Sequence, residues 1–141
     1  MFLWLGPVLP AGTIIHYPVD FGEPVGVEPH FVLLVDCSGV YYRGFVIKSG
    51  PTEWQKESSE QMNHLVTIDQ QSHPFLTHDS VINCTYLHPI RVQDVKQHLR
   101  ERPKDRKGVA SGAVKATIIT AIKTSRLLSP IEKLAITKAL S

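Results

Sequence analysis

The chain has little of what marks a specialised protein. Only two of its 141 residues are cysteine, Cys37 and Cys84, far apart and each in or beside an apolar run. Without CxxC spacing or paired clusters there is no zinc signature and no disulfide framework, and two buried free thiols in a reducing cytosol are the simplest reading. The chain is therefore expected to be cytoplasmic. No apolar run approaches the roughly 20 residues that a membrane-spanning helix takes. The N-terminal Phe2-Leu3-Trp4-Leu5 carries no basic lead and breaks at Gly6-Pro7, which argues against a signal peptide as well. A strong charge of either sign is also missing, since the formal net charge is +2, too mild to demand a polyanion. The positive charge present is placed late: the first 42 residues contain neither Lys nor Arg, while 91–107 concentrates both.

What is present fits an ordinary globular chain, with 43% hydrophobic and 20% charged residues. Its length allows one domain with an appendage and a real core, with no metal or disulfide staple required. Thr13-Ile14-Ile15 reads as a strand that Pro18 stops, and 18–29, with three prolines and two glycines, reads as a long loop. Phe31-Val32-Leu33-Leu34-Val35 is nearly continuous apolar, the pattern of a central strand buried on both faces. Cys37-Ser38-Gly39 turns the chain, 40–47 returns as a hairpin arm, and Gly44 within it predicts a bulge.

Residues 48–62 read as a second long loop, with room for a helical turn and with Trp54 as its one large apolar group. Further strands are predicted over 64–69, 80–84 and 87–92, with a helical turn beginning at Gln93. Between Leu99 and Gly108 the chain becomes a charge run broken by Pro103, which reads as a linker. After it, Val114, Ile118, Ile119, Ala121 and Ile122 recur at helical spacing. Ser129-Pro130-Ile131-Glu132 is a capping box with proline at the first helical position, and Ile131, Leu134, Ala135 and Lys138 are expected to form one face of the helix that follows. The class is mainly β, of α+β type: a small antiparallel β-barrel over 1–98, a charged linker over 99–107 and a helical hairpin over 108–141.

Candidate chemistry gathers in two places. Glu28 and His30 flank Pro29, and alternate residues of an extended chain point to one side, so a carboxylate and an imidazole stand together in a pair suited to proton transfer. The stretch from His73 to Pro89 centres on His78, Asp79 and Ser80 at the mouth of a strand, where a rigid scaffold leaves polar groups free. Seven histidines invite a metal, but no pair has the spacing that forces ligands to converge, so no metal and no cofactor is expected. His78-Asp79-Ser80 lacks the glycine-flanked elbow of a nucleophile, and three consecutive residues cannot face one another on a strand.

Four segments, in order, carry a resemblance over about residues 10–92. Pro10-Ala11-Gly12-Thr13-Ile14-Ile15 looks like a "GD(I/V)" opening strand, and Glu28-Pro29-His30-Phe31-Val32-Leu33-Leu34 like an "RPxLVL" strand. Ile47-Lys48-Ser49 is similar to an "(I/T)TS" strand end, and Leu76 to Ile82 to an "LxxDSxV" segment. Together these resemble the PemK/MazF-like toxins. The resemblance implies an SH3-like barrel, a homodimer, cleavage of single-stranded RNA without a metal, and neutralisation by an antitoxin protein. On it, Glu28 or His30 would be the base, Ser49 would position phosphate, and Arg43, His78, Asp79 and Ser80 would contact RNA. The family's arginine position holds Glu28, so Lys48 or Arg43 must supply the cation for the phosphorane. The rival reading is a small-barrel binding module, without catalysis, for a protein partner or nucleic acid.

Overall fold

Phe31 to Val35 are continuous and apolar because their strand lies inside a six-stranded antiparallel sheet with packed layers on both faces. The computed structural model describes residues 9–141, apart from the side chains at 53 and 54; the expectations for Phe2 to Leu5 and for the Trp54 side chain lie outside the described residues. The strands are β1 (Thr13–Asp20), β2 (Val27–Asp36), β3 (Tyr41–Lys48), β4 (Leu65–Ile68), β5 (Ser80–Arg91) and β6 (Arg106–Val109), in the spatial order β4-β5-β3-β2-β1-β6. The helices are α1 (Glu53–Lys56), α2 (Ser59–Asn63), α3 (Val92–Glu101), α4 (Gly112–Lys123) and α5 (Pro130–Leu140). The α+β class, with mostly β structure and a C-terminal helical pair, is as the sequence indicated. The barrel is not closed, since among the described residues β4 and β6 end the sheet without pairing to each other. No described helix is long and apolar enough to cross a membrane.

Alternation along β2 divides the interior. Leu33 and Val35 join Ile14, Phe45 and Ile82 in a core closed by Val114, Ile118 and Ile122 of α4 and by Ile136 and Leu140 of α5. Val32 and Leu34 face the opposite way, into a smaller core with Ile15, Tyr42 and Val46 that Val95 of α3 closes. That packing makes α3 a ten-residue helix where the sequence promised only a turn, because Val92, Val95 and Leu99 share its apolar face.

Other expectations need correction. Half of the stretch 18–29 is strand, with only 21–26 left as the turn and Pro18 opposite Pro29 in the β1–β2 register. Proline is tolerated there because β6 pairs only Thr13–Ile15 of β1, and β3 meets β2 only from Phe31 onward, so neither missing N–H removes a ladder bond. The two strands expected over 80–84 and 87–92 are one, β5, with a register irregularity opposite Phe45. The supposed linker over 99–107 is the end of α3, a 3₁₀ turn at Pro103–Asp105 and the start of β6, which pairs with β1. His98 helps hold it, since its Nε2 lies 2.8 Å from Asp105 Oδ2 and 3.0 Å from the His16 carbonyl. In α5 the capping box is present, but the expected face is wrong: Ile136 and Leu140 are buried, while Ile131 and Leu134 are 80% and 71% exposed.

Candidate functional site

Past the end of β3, where β1 and β2 run on as a paired hairpin, a cleft of about 260 Å³ opens. His16 of β1, His30 and Phe31 of β2, and Ile47, Lys48 and Ser49 at the end of β3 form one side. Leu76, Thr77 and His78 from the β4–β5 loop, with Ser80 opening β5, form the other. The loop is set by its own hydrogen bonds. Asp79 Oδ1 accepts from Gln70 N–H at 2.8 Å, and Ser72 N–H donates to Asp69 Oδ2 at 2.8 Å. Fully buried His73 ties the loop to α4: its Nδ1 meets the Asp69 carbonyl at 2.8 Å and its Nε2 accepts from Ser111 N–H at 3.1 Å.

Of the residues singled out from sequence, His30, Lys48, Ser49, His78 and Ser80 meet at this cleft, although they come from distant parts of the chain. Glu28 does not line it. It is exposed near the start of β2, opposite Val19, so the carboxylate–imidazole pair is not gathered around one reacting centre. Arg43 is also elsewhere, roughly 17 Å of strand from Lys48. Its Nη1 donates to Asp36 Oδ2 at 3.2 Å. Burial disfavours the Asp36 carboxylate, but hydrogen bonds from Ser38 Oγ and N–H, together with Arg43, more than offset this and hold its pKa below the usual carboxylate value. Asp79 serves the loop turn and does not line the cleft.

His78 and Lys48 are each oriented. The His78 Nδ1 lies 2.8 Å from the Asp79 carbonyl, a contact in which Nδ1–H donates and Nε2 is left as the neutral ring's basic nitrogen. Lys48 Nζ donates to Gln55 Oε1, and burial pulls its ammonium below the ordinary lysine range. Gln55 is buried and held by Thr52, whose N–H donates to Oε1 at 3.0 Å and whose Oγ1 accepts from Gln55 N–H at 3.1 Å. Sequence reasoning missed Gln55, which lies in the polar segment 48–62 and sits in α1. It also missed His16, whose signal was present: a histidine two residues from Ile14 on the core-facing side of β1 is a polar group placed at an apolar position.

The arrangement offers three imidazoles, one ammonium and three hydroxyls around a cleft with an aromatic wall, where His16 and Phe31 meet edge to face at 5.2 Å. Such a set can move protons and hold an anion. Among the described residues no three His, Cys, Asp or Glu side chains are grouped to hold a metal ion. Compared with known proteins, the sequence matches no family model and no curated protein.

Proposed function

We propose that the chain is a PemK/MazF-like endoribonuclease that cleaves single-stranded RNA by internal attack of the 2′-hydroxyl, with no metal in the reaction. The observation that carries this reading is the meeting of His30, Lys48, Ser49 and His78 at one cleft. His78 Nε2 takes the 2′-hydroxyl proton, His30 on the β2 side protonates the departing 5′-oxygen, Lys48 stabilises the phosphorane, and Ser49 positions the phosphate. Ser80, 3.2 Å from the His78 carbonyl, supports the loop that carries His78. Glu28 and Arg43, away from the cleft, have no part in the chemistry. The reading extends to a homodimer, supported by exposed Ile131 and Leu134 on α5, and to an antitoxin partner that would cover the cleft.

Products should end in a 2′,3′-cyclic phosphate and form equally well in EDTA. His78→Ala and His30→Ala should each slow cleavage by about 10²- to 10⁴-fold with RNA affinity nearly unchanged, and Glu28→Gln should leave the rate alone. If neither histidine substitution slows cleavage, His16 is the next group to replace and the assignment above is wrong. A specific observation favours the binding module: Arg43 is committed to Asp36, so among the described residues lining the cleft Lys48 is the one lysine or arginine. RNA binding through Lys48 and Ser49 without any cleavage would decide for that module.

A further inference from the structure

The face of the sheet that carries the smaller core has a second hollow, of about 380 Å³, for which the cleavage chemistry has no use. Its walls include Tyr17 and Asp20 of β1, Tyr86, His88 and Arg91 of β5, and Asp94 in the first turn of α3. The rings form a continuous row. Tyr86 meets His88 at 4.6 Å and 81°, His88 meets Phe21 at 5.4 Å and 81°, and Phe21 meets His30 at 5.3 Å and 79°. Each edge-to-face contact fixes one ring against the next, and the row runs from the hollow to His30 at the cleft.

Tyr86 at the outer end is 57% exposed, yet it is braced by His88. An exposed ring that is already fixed is a stacking platform, because a base laid on it orders little that was free. The polar groups around the platform include two carboxylates, Asp20 and Asp94. Asp20 is partly committed, as its Oδ1 accepts from Gly22 N–H at 2.8 Å. Asp94 is close enough to Tyr17 that its charge, after burial, helps push the phenol pKa up. Guanine alone among the four bases presents two adjacent N–H donors, N1–H and the N2 amino group, which a carboxylate accepts side by side; uracil offers one imide N–H between two carbonyls. Arg91 supplies a cation for an adjoining phosphate.

We propose that this hollow is a nucleobase subsite that takes a guanine of single-stranded RNA, stacked on Tyr86 with its donor edge on Asp94. The proposal rests on the RNA reading above and adds to it a base that the strand must carry away from the scissile phosphate, three ring contacts along the row from His30. Cleavage would then depend on base identity through binding, with the proton-transferring groups themselves indifferent to it.

The test uses the full chain. Guanosine 5′-monophosphate and uridine 5′-monophosphate are titrated separately and followed by NMR shifts. A uridine oligomer containing one guanine, and its all-uridine counterpart, are followed by fluorescence anisotropy. The guanine nucleotide should shift resonances of Tyr86, His88 and Asp94, while the uridine nucleotide leaves them unmoved. Tyr86→Ala and Asp94→Asn should each weaken the guanine-containing oligomer by about 5- to 100-fold without affecting the all-uridine one, and Tyr86→Phe should bind as the parent does. Equal affinity for the two oligomers, or shifts confined to Ser49 and His78, overturns the subsite and leaves the RNA reading standing. Guanine-dependent binding without cleavage keeps the subsite and removes the nuclease. No binding of either oligomer overturns both.

Discussion

A methyl group at Gly44 has nowhere to go: a Cβ there would lie 2.6 Å from Val32 Cγ1 and 2.9 Å from the Leu33 carbonyl oxygen. The side chain can shift but the carbonyl belongs to the central strand, so Gly44→Ala should cost about 1–3 kcal/mol in urea unfolding. A loss under about 0.5 kcal/mol would show that β2 and β3 are not packed this closely. This glycine was legible in the sequence as an interruption of an apolar strand, and pairing is irregular on both sides of it. Gln55 was not legible, because its role arises only when α1 folds back on the end of β3 and brings Oε1 to Lys48. Gln55→Leu removes the acceptor that orients the ammonium. It should lower kcat by about 10- to 100-fold with little change in KM, and it should shift the alkaline limb of the pH profile, which loss of stability alone would not do. An unchanged kcat would show that Lys48 needs no such support.

Among the elements, strands announced themselves by apolar runs and α5 by its cap, while the proline-rich hairpin and β6 did not. Local rules read proline as a break and charge as a solvated spacer, whereas here the prolines fall where no third strand is adjacent and the basic segment gains a partner in β1. The β1–β2 hairpin is held over β5 by Phe21 against His88. That contact has a pH signature. Burial first, and then the charge of His30, hold His88 below the ordinary imidazole pKa of about 6.5. The unfolded chain therefore takes up a proton at higher pH than the folded chain. Stability from this group is complete above about pH 6.5 and is lost as pH falls through the folded value. Urea midpoints measured at falling pH should decline over this range in the parent and more weakly in His88→Phe, which keeps an aromatic ring there and cannot titrate. Parallel declines in the two proteins would assign the slope to other groups.

At the scale of the whole molecule, α5 is decided by which of its two apolar edges the sheet can reach. Periodicity in the sequence put Ile131 and Leu134 on the apolar face and passed over Ile136 and Leu140, since a helix pattern records that a face is apolar without saying what lies opposite it. The sheet and α4 take Ile136 and Leu140 into the main core, which leaves Leu127 just before α5 and Ile131 and Leu134 on it exposed. Burying a side chain such as Leu or Ile is worth about 1.5–3 kcal/mol, so leaving these in water forgoes a gain that pairing with a second copy would recover. The homodimer proposed above is expected to use this surface. Light scattering at micromolar concentration should then give twice the 15.8 kDa of one chain. Ile131→Glu with Leu134→Glu should return the mass to a single chain, because two carboxylates would be desolvated in the contact. Both side chains are exposed in the folded chain, so the change should leave dilute-solution unfolding within about 0.5 kcal/mol per site of the parent. A parent that scatters as one chain would remove the dimer, and a doubly substituted chain that still pairs would move the contact to another face, with the open sheet edges β4 and β6 the next to examine.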